Sequence, residues 1–219
     1  AIKKYSKVLE IDPKHTGAQE LLIYNLDFFS PKEKNVHPII TANNSLKEIK
    51  NTFTLEDGIK DHDFANLFRK SNKIIENYVG KLVFNHAQIH RRNSIELNCK
   101  RHKGIFNEFN IVPKFCFSCF KIQIEPKNVL ELCKLYLIFD KLKLPTDNSR
   151  KCTIELRPNA TGTYKGLIYC SSIKEMHKII EIITPTINRL IKGKIKIKRG
   201  CTEYSEIFPN YEVTDAENI

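Results

Sequence analysis

Two pairs of soft metal-binding side chains stand near the middle of this 219-residue sequence. Cys99 and His102 form a Cys-x-x-His pair, and after 13 intervening residues Cys116 and Cys119 form a Cys-x-x-Cys pair. Thiolates and imidazoles are the ligands of tetrahedral structural zinc, and a close pair lets one tight turn present two of them. The spacing therefore predicts a zinc site that is built from these residues.

The same cysteines have two other interpretations. Phe115 and Phe117 flank Cys116, which also suits a thiol that is buried in an apolar core. A redox-active Cys-x-x-Cys usually lies at a helix N-terminus, where the dipole lowers the thiol pKa, whereas this pair precedes a predicted strand. His86 and His90 would share one face of a helix as another metal pair, but the alternative of two surface histidines is favoured because no third ligand stands near them.

Basic, acidic and nucleophilic side chains elsewhere could also carry chemistry. Cys201 lies close to Arg199 and could act as a thiolate nucleophile. Arg91 and Arg92 are adjacent guanidinium groups that could hold a phosphate. The candidates for catalysis on a phosphate- or carboxylate-bearing substrate are Lys121, Glu125, Lys165, Tyr169 and Cys201, and those for ligand binding are Arg91, Arg92, Arg157, Lys165 and Arg199.

The composition is strongly basic, with a formal net charge of +11. Such a charge favours nucleic acids or phosphate-bearing ligands as partners. Lysine outnumbers arginine, the side chain that binds phosphate bidentately, so an ordinary solvated surface is the alternative. Seven scattered cysteines favour reduced thiols in a cytoplasmic protein. No apolar run approaches the roughly 20 residues of a membrane span, so the sequence predicts no membrane partner.

The N-terminal residues have the spacing of a repeat motif. Apolar periodicity over residues 1–13 predicts a helix that Asp12 and Pro13 end. Ala1, Tyr5 and Pro13 match the Ala, aromatic and closing Pro of a tetratricopeptide repeat, so that residues 1–30 resemble the end of such an array. The resemblance implies further repeats before it, a capping helix after it and a protein partner. An ordinary amphipathic helix is the alternative.

The middle of the chain is less regular. Proline, Asn and Lys without periodicity in residues 31–53 predict a linker and a domain boundary. Phe64, Leu67 and Ile74 have helical spacing, which predicts a helical region over residues 54–112.

The C-terminal half has the pattern of an α+β domain. Its periodicities predict, in order, strand 115–125, helix 128–142, strand 151–158, strand 163–170, helix 172–191 and strand 194–198. Over residues 113–208 this order is typical of a ferredoxin-like βαββαβ plait, an antiparallel sheet with both helices on one face and the other face free. Pro185 is predicted to kink or break the second helix, and the acidic residues 209–219 to form a frayed tail.

The third strand of this plait resembles an RNA-recognition motif. Lys165 and Gly166 match the basic residue and glycine of that motif, and Tyr169 occupies a stacking position, although Leu167 replaces a usual aromatic. The main hypothesis is a zinc-containing module that binds a protein partner or an anionic ligand on its polar sheet face. Nucleic-acid binding and catalysis are the alternatives.

Overall fold

The computed structural model divides the chain into two compact units, Ala1–His86 and Ala87–Ile219. This division lies after the region 31–53, where the sequence predicts the boundary. The structure describes residues 1–29, 31, 37–49, 53–80, 88–91, 99–158, 160–201, 204–212 and 214, and for residues 27, 88–91, 206 and 212 the backbone alone.

The first unit consists of packed helices. They are α1 (Ile2–Ile11), α2 (Thr16–Phe28), α3 (Pro38–Lys47) and α4 (Asp61–Glu76). Leu9 of α1 packs with Leu22 and Leu26 of α2 and with Ile39 and Ile40 of α3 in one buried cluster. The two predicted N-terminal helices are confirmed, and Asp12 caps the end of α1 as expected next to a proline.

Helix α3 corrects the prediction of a linker over residues 31–53. His37 caps its N-terminus, because the ring nitrogen accepts a hydrogen bond from the Ile39 N–H at 3.3 Å. Pro38 occupies the first helical turn, where its missing N–H costs nothing. Since Ile39 and Ile40 are buried against α2, a short apolar segment suffices to hold this helix.

The second unit combines helices with a sheet, which confirms the α+β class. Its strands are β1 (Gln88–Arg91), β2 (Phe120–Glu125), β3 (Arg150–Ile154), β4 (Tyr164–Cys170) and β5 (Lys194–Arg199). Its helices are α5 (Cys99–Phe109), α6 (Lys114–Phe117), α7 (Val129–Lys141), α8 (Ile173–Leu190) and α9 (Tyr204–Ile207), followed by a 3-10 helix at Pro209–Glu212.

The described strands form one antiparallel sheet in the order β1-β3-β4-β2-β5. Lys121 of β2 faces Tyr169 of β4 on one side and Lys198 of β5 on the other. Ile122 and Ile168 also face each other and are fully buried, so successive residues alternate between a polar and an apolar face as predicted. Helix α7 lies against Gly166 on the apolar face, where a β-carbon would overlap the Leu135 side chain.

Several predicted element boundaries are wrong. The strand predicted from residue 115 begins at Phe120, because residues 114–117 form α6. The strand predicted to residue 158 ends at Ile154, which leaves Leu156 77% exposed instead of buried. Strand β1 lies within the region 54–112 that was predicted to be helical, and it pairs with β3.

Pro185 and the C-terminal segment also differ from expectation. Helix α8 continues through Pro185. Proline has no N–H, so the Glu181 carbonyl oxygen, four residues earlier, lacks its usual helical donor. Both residues are exposed, and a water molecule can donate to this oxygen instead. In the predicted frayed tail, residues 209–212 are helical and Tyr211 is only 2% exposed, because its ring packs between Tyr204 and Phe117.

Candidate metal centre

A cavity of about 550 Å³ in the second unit brings the predicted metal ligands together. Cys99, His102, Cys116 and Cys119 all line it. The structure therefore places the two pairs at one location, although 13 residues separate them in sequence.

Local structure positions each pair. Cys99 and His102 lie three residues apart in the first turn of α5, a spacing that puts them on neighbouring parts of one helix face. Cys116 lies in the short helix α6, and the N–H of Cys119 donates to its carbonyl oxygen at 3.3 Å. This turn carries the chain from α6 into the start of β2 and keeps the two thiols close together in sequence and space.

Cys116 is the most enclosed of the four residues, at 3% exposure. Its Sγ lies 3.5 Å from Nδ1 of His102, and its thiol donates to the Tyr204 hydroxyl oxygen at 3.8 Å. The Tyr211 hydroxyl donates to the Cys116 carbonyl oxygen at 2.8 Å. Burial raises the pKa of the Cys116 thiol. Because Cys116 also packs with Phe106, the interpretation as a core thiol describes part of its environment.

Cys119 lies beside Gly200 and Cys201. Strands β2 and β5 pair with Phe120 opposite Arg199, and the N–H of Gly200 continues this ladder by donating to the Cys119 carbonyl oxygen at 2.8 Å. Cys201 follows directly and lines the same cavity. Burial, with repulsion from the thiolate that Cys201 would form, raises the pKa of Cys119 to about 12.

The raised pKa values bear on the redox interpretation. A reactive Cys-x-x-Cys needs a thiolate at neutral pH, and its microenvironment normally lowers the thiol pKa. Here burial keeps Cys116 and Cys119 protonated in the metal-free protein. The thiols are therefore poorly suited to disulfide exchange, and a divalent cation would have to displace their protons on binding.

The cavity is larger than one metal ion requires. Within the part of the chain that the structure describes, no group of three or more His, Cys, Asp or Glu side chains is close enough to hold a metal ion as it stands. Zinc binding would thus require the thiols to move inward until each sulfur lies about 2.3 Å from the ion. Zinc binding by these residues remains a prediction.

The polar sheet face carries paired charges. Nζ of Lys165 lies 3.0 Å from Oε2 of Glu155, and both side chains are about nine-tenths buried, with exposures of 9% and 11%. Arg157 donates to the same carboxylate from Nε at 2.9 Å and from Nη2 at 3.0 Å. These hydrogen bonds hold the pKa of Glu155 far below its usual range, and those from Arg157 have the largest effect.

This face is not free along its whole length. Gln123, Thr153, Lys165 and Leu167 are all buried, with exposures between 2% and 8%. The prediction of a fully open polar face is therefore wrong at these central positions, where Lys165 and Gln123 bind the carboxylates of Glu155 and Glu125. Lys121 and Tyr169, nearer the cavity, are half-buried.

The proposed catalytic candidates do not form one cluster. Glu125 binds Lys196, with Oε2 2.8 Å from Nζ. Lys121 lies four residues away on the same strand, about 13 Å along it at the usual rise per residue. Nζ of Lys121 donates to the Gly200 carbonyl oxygen at 3.1 Å, towards the cavity that Cys201 lines. Lys121 and Cys201 thus lie near one end of β2, and Glu125 lies at the other end.

The candidate arginines have structural contacts. Arg199 is 6% exposed, and its guanidinium donates to the carbonyl oxygens of Phe117 and Thr214. It also lies 4.3 Å from the ring centre of Phe120. The side chain of Arg157 is 68% exposed and binds Glu155. Arg91 and His90 lie in β1, where the structure describes the backbone alone. Arg92 and His86 lie outside the described residues.

Gly200, Tyr204 and Tyr211 contribute to this site without having been identified from the sequence. Gly200 leaves room for the sulfur of Cys119, and the two tyrosines close the far side of Cys116. A signal was present for Cys201: Cys119 directly precedes β2, and Cys201 follows β5 after Gly200. In a plait the first and fourth strands are neighbours, so these two cysteines should meet.

Comparison with models of known protein families, with curated protein sequences and with solved structures finds no match to this chain. Among the described residues, no helix has the length and apolar character needed to cross a membrane.

Proposed function

We propose that the second unit is a ferredoxin-like plait that binds a structural zinc ion in the cysteine-lined cavity. The strand order β3-β4-β2-β5 supports the plait, because it corresponds to the order 2-3-1-4 within the βαββαβ sequence. The zinc proposal is carried by one observation: Cys99, His102, Cys116 and Cys119 line a single cavity.

The geometry favours a structural role for this ion. The thiols come from α5, from α6 and from the start of β2, so an ion bound by them would connect these elements to the sheet. The thiols of Cys99, Cys116 and Cys119 would supply three of the four zinc ligands. His102, Cys170 and Cys201 also line the cavity and are the available donors for the fourth tetrahedral position.

Elemental analysis of the purified full chain tests the proposal. A stoichiometric zinc ion is expected in the native protein and should be lost in Cys99→Ser and Cys119→Ser. Cys133→Ser is the matched control, because this half-buried thiol lies on α7 and does not line the cavity. A folded native chain without metal would refute the proposal.

Nucleic-acid binding is a second candidate, which a row of side chains across the polar face supports. Lys198, Lys121 and Tyr169 face one another on adjacent strands, and Nζ of Lys151 lies 5.9 Å from the centre of the Tyr169 ring. Cations beside an aromatic ring suit a phosphate backbone with a stacked base. This row lies outside the buried centre of the face.

Binding of fluorescein-labelled oligouridine, followed by anisotropy at several salt concentrations, tests this second function. Affinity should fall steeply with salt, and Lys198→Ala should reduce the slope of log affinity against log salt by about 1. Tyr169→Leu should cost about 1–3 kcal/mol of binding free energy if a base stacks there. Lys178→Ala, which removes the same charge from an exposed position on α8, should have little effect. Salt-insensitive binding would contradict the hypothesis.

A further inference from the structure

We infer that the fourth ligand of the proposed zinc ion is Cys201, and that His102 instead donates a hydrogen bond to the sulfur of Cys116. This inference rests on the proposed zinc site and specifies its chemistry. The ligand set would be Cys99, Cys116, Cys119 and Cys201, a site with four thiolates.

The pairing of β2 with β5 brings Cys119 and Cys201 to the same end of the sheet. Phe120 faces Arg199, and the ladder continues through the 2.8 Å hydrogen bond from the Gly200 N–H to the Cys119 carbonyl oxygen. Cys201 is the next residue along the chain and lines the same cavity as Cys119. Two cysteines therefore meet at the ends of adjacent strands, and the backbone ladder fixes their relative position.

Gly200 provides an independent observation. The sulfur of Cys119 occupies the space that a β-carbon at position 200 would take. Only a residue without a side chain allows this thiol to lie so close to the segment that carries Cys201. The close approach places the Cys119 sulfur against the residue that directly precedes Cys201.

The contacts of His102 fit a supporting role. Its Nδ1 lies 3.5 Å from the Cys116 sulfur, and its ring is parallel to that of Phe115 with centroids 6.3 Å apart. An N–H directed at a ligating sulfur stabilises the thiolate and orients it, as residues beside metal ligands commonly do. His102 can thus contribute to the site without occupying a coordination position.

Charge is consistent with this assignment. Four thiolates around a divalent zinc ion carry a net charge of about −2, because each contributes one negative charge. Arg101, which lies between Cys99 and His102 in the sequence, also lines the cavity and supplies a positive charge there. The N–H of His102 adds a further donor towards the sulfurs.

X-ray absorption at the zinc edge, measured on the native full chain, distinguishes the two ligand sets. The expected spectrum has a shell of four sulfur atoms at about 2.3 Å and no nitrogen. A shell of three sulfurs with one nitrogen at about 2.0–2.1 Å would assign the position to His102 and overturn the inference. This measurement decides between them even if a cysteine variant fails to fold.

Two variants extend the test. His102→Asn should keep a stoichiometric zinc ion and the four-sulfur shell, whereas Cys201→Ser should lose zinc or one sulfur from the shell. Retention of an unchanged shell in Cys201→Ser would also overturn the inference. A native chain that is folded but free of zinc would refute the proposed zinc site as a whole, while a three-sulfur, one-nitrogen shell would refute the Cys201 assignment alone.

Discussion

The sulfur of Cys119 occupies the space of a missing β-carbon at Gly200, and the Gly200 N–H donates to the Cys119 carbonyl oxygen at 2.8 Å. Strand pairing holds the two backbones together at this point, so neither residue can withdraw without breaking the ladder. Close packing of this kind makes position 200 sensitive to the addition of a single methyl group.

Gly200→Ala should therefore destabilise the protein by about 1–3 kcal/mol, the usual cost of overpacking. It should also lower zinc content if the cavity binds the ion. Denaturant unfolding and elemental analysis of the full chain measure the two effects.

Gly104→Ala is the matched control for that substitution. Gly104 lies within α5, and apart from its chain neighbours and the backbone of its own helix no atom lies within 4 Å of an added β-carbon. Replacing an exposed helical glycine by alanine should stabilise the protein by about 0.5–1 kcal/mol. Equal stability changes of the same sign in the two variants would contradict the contact between Gly200 and Cys119.

The sequence pattern predicted which face of the sheet each side chain occupies more reliably than how exposed that side chain is. The alternation of Lys121, Ile122 and Gln123 follows from the two-residue period of a strand, and the register confirms it. The same period cannot give the exposure of a side chain, which depends on the rest of the fold. This is why Gln123 is buried on a face that was predicted to be free.

The metal site shows the same division between local and long-range information. Each close pair can be recognised because its two members share one turn of chain. Cys201 was assigned only the role of a nucleophile, although the predicted plait makes its first and fourth strands neighbours and so brings Cys201 near Cys119. Helix α3 was missed for a related reason: Ile39 and Ile40 are buried by α2, and their own segment carries too few apolar residues to show a period.

Glu155 and Lys165 yield a prediction about charge burial. Glu155→Gln removes the anion that lies 3.0 Å from the buried Lys165 ammonium. We expect a loss of about 1.5–3 kcal/mol in unfolding free energy at neutral pH, the range for hydrogen bonds to charged groups. Arg157→Gln, which removes a 68% exposed partner of the same carboxylate, should cost less than about 1 kcal/mol.

The same pair predicts a pH dependence. The pKa of Glu155 is lower in the folded protein than its unfolded value near 4.3, so its stabilising contribution is present at higher pH. This contribution is lost as the pH falls below the unfolded pKa and towards the folded one. The stability difference between native protein and Glu155→Gln should therefore shrink in acid. A difference that stays constant between pH 7 and about pH 3 would contradict the assignment.

Arg150 is predicted to be a structural residue of the apolar face. Its Nη1 donates to the carbonyl oxygens of Phe139 and Leu142 at 2.6 and 2.8 Å, and the residue is 2% exposed. Arg150→Met should leave these acceptors at the end of α7 without donors, at about 1–3 kcal/mol for each. Asp147→Asn removes only the partly exposed ion-pair partner and should change stability by less than about 1 kcal/mol. Equal losses in both variants, measured by denaturant unfolding, would contradict this role.

Metal removal gives a prediction that separates specific from incidental binding. An ion that binds the folded chain alone stabilises it by about 4 kcal/mol when its free concentration is a thousand times the dissociation constant. Zinc added to chelator-stripped full chain should therefore raise the unfolding midpoint, and stronger chelation should lower it again. In Cys119→Ser the same addition should have little effect, because the sulfur that connects β2 to the cavity is absent, whereas Cys133→Ser should respond as the native chain does. An equal response of Cys119→Ser and the native chain would place the zinc elsewhere on the protein.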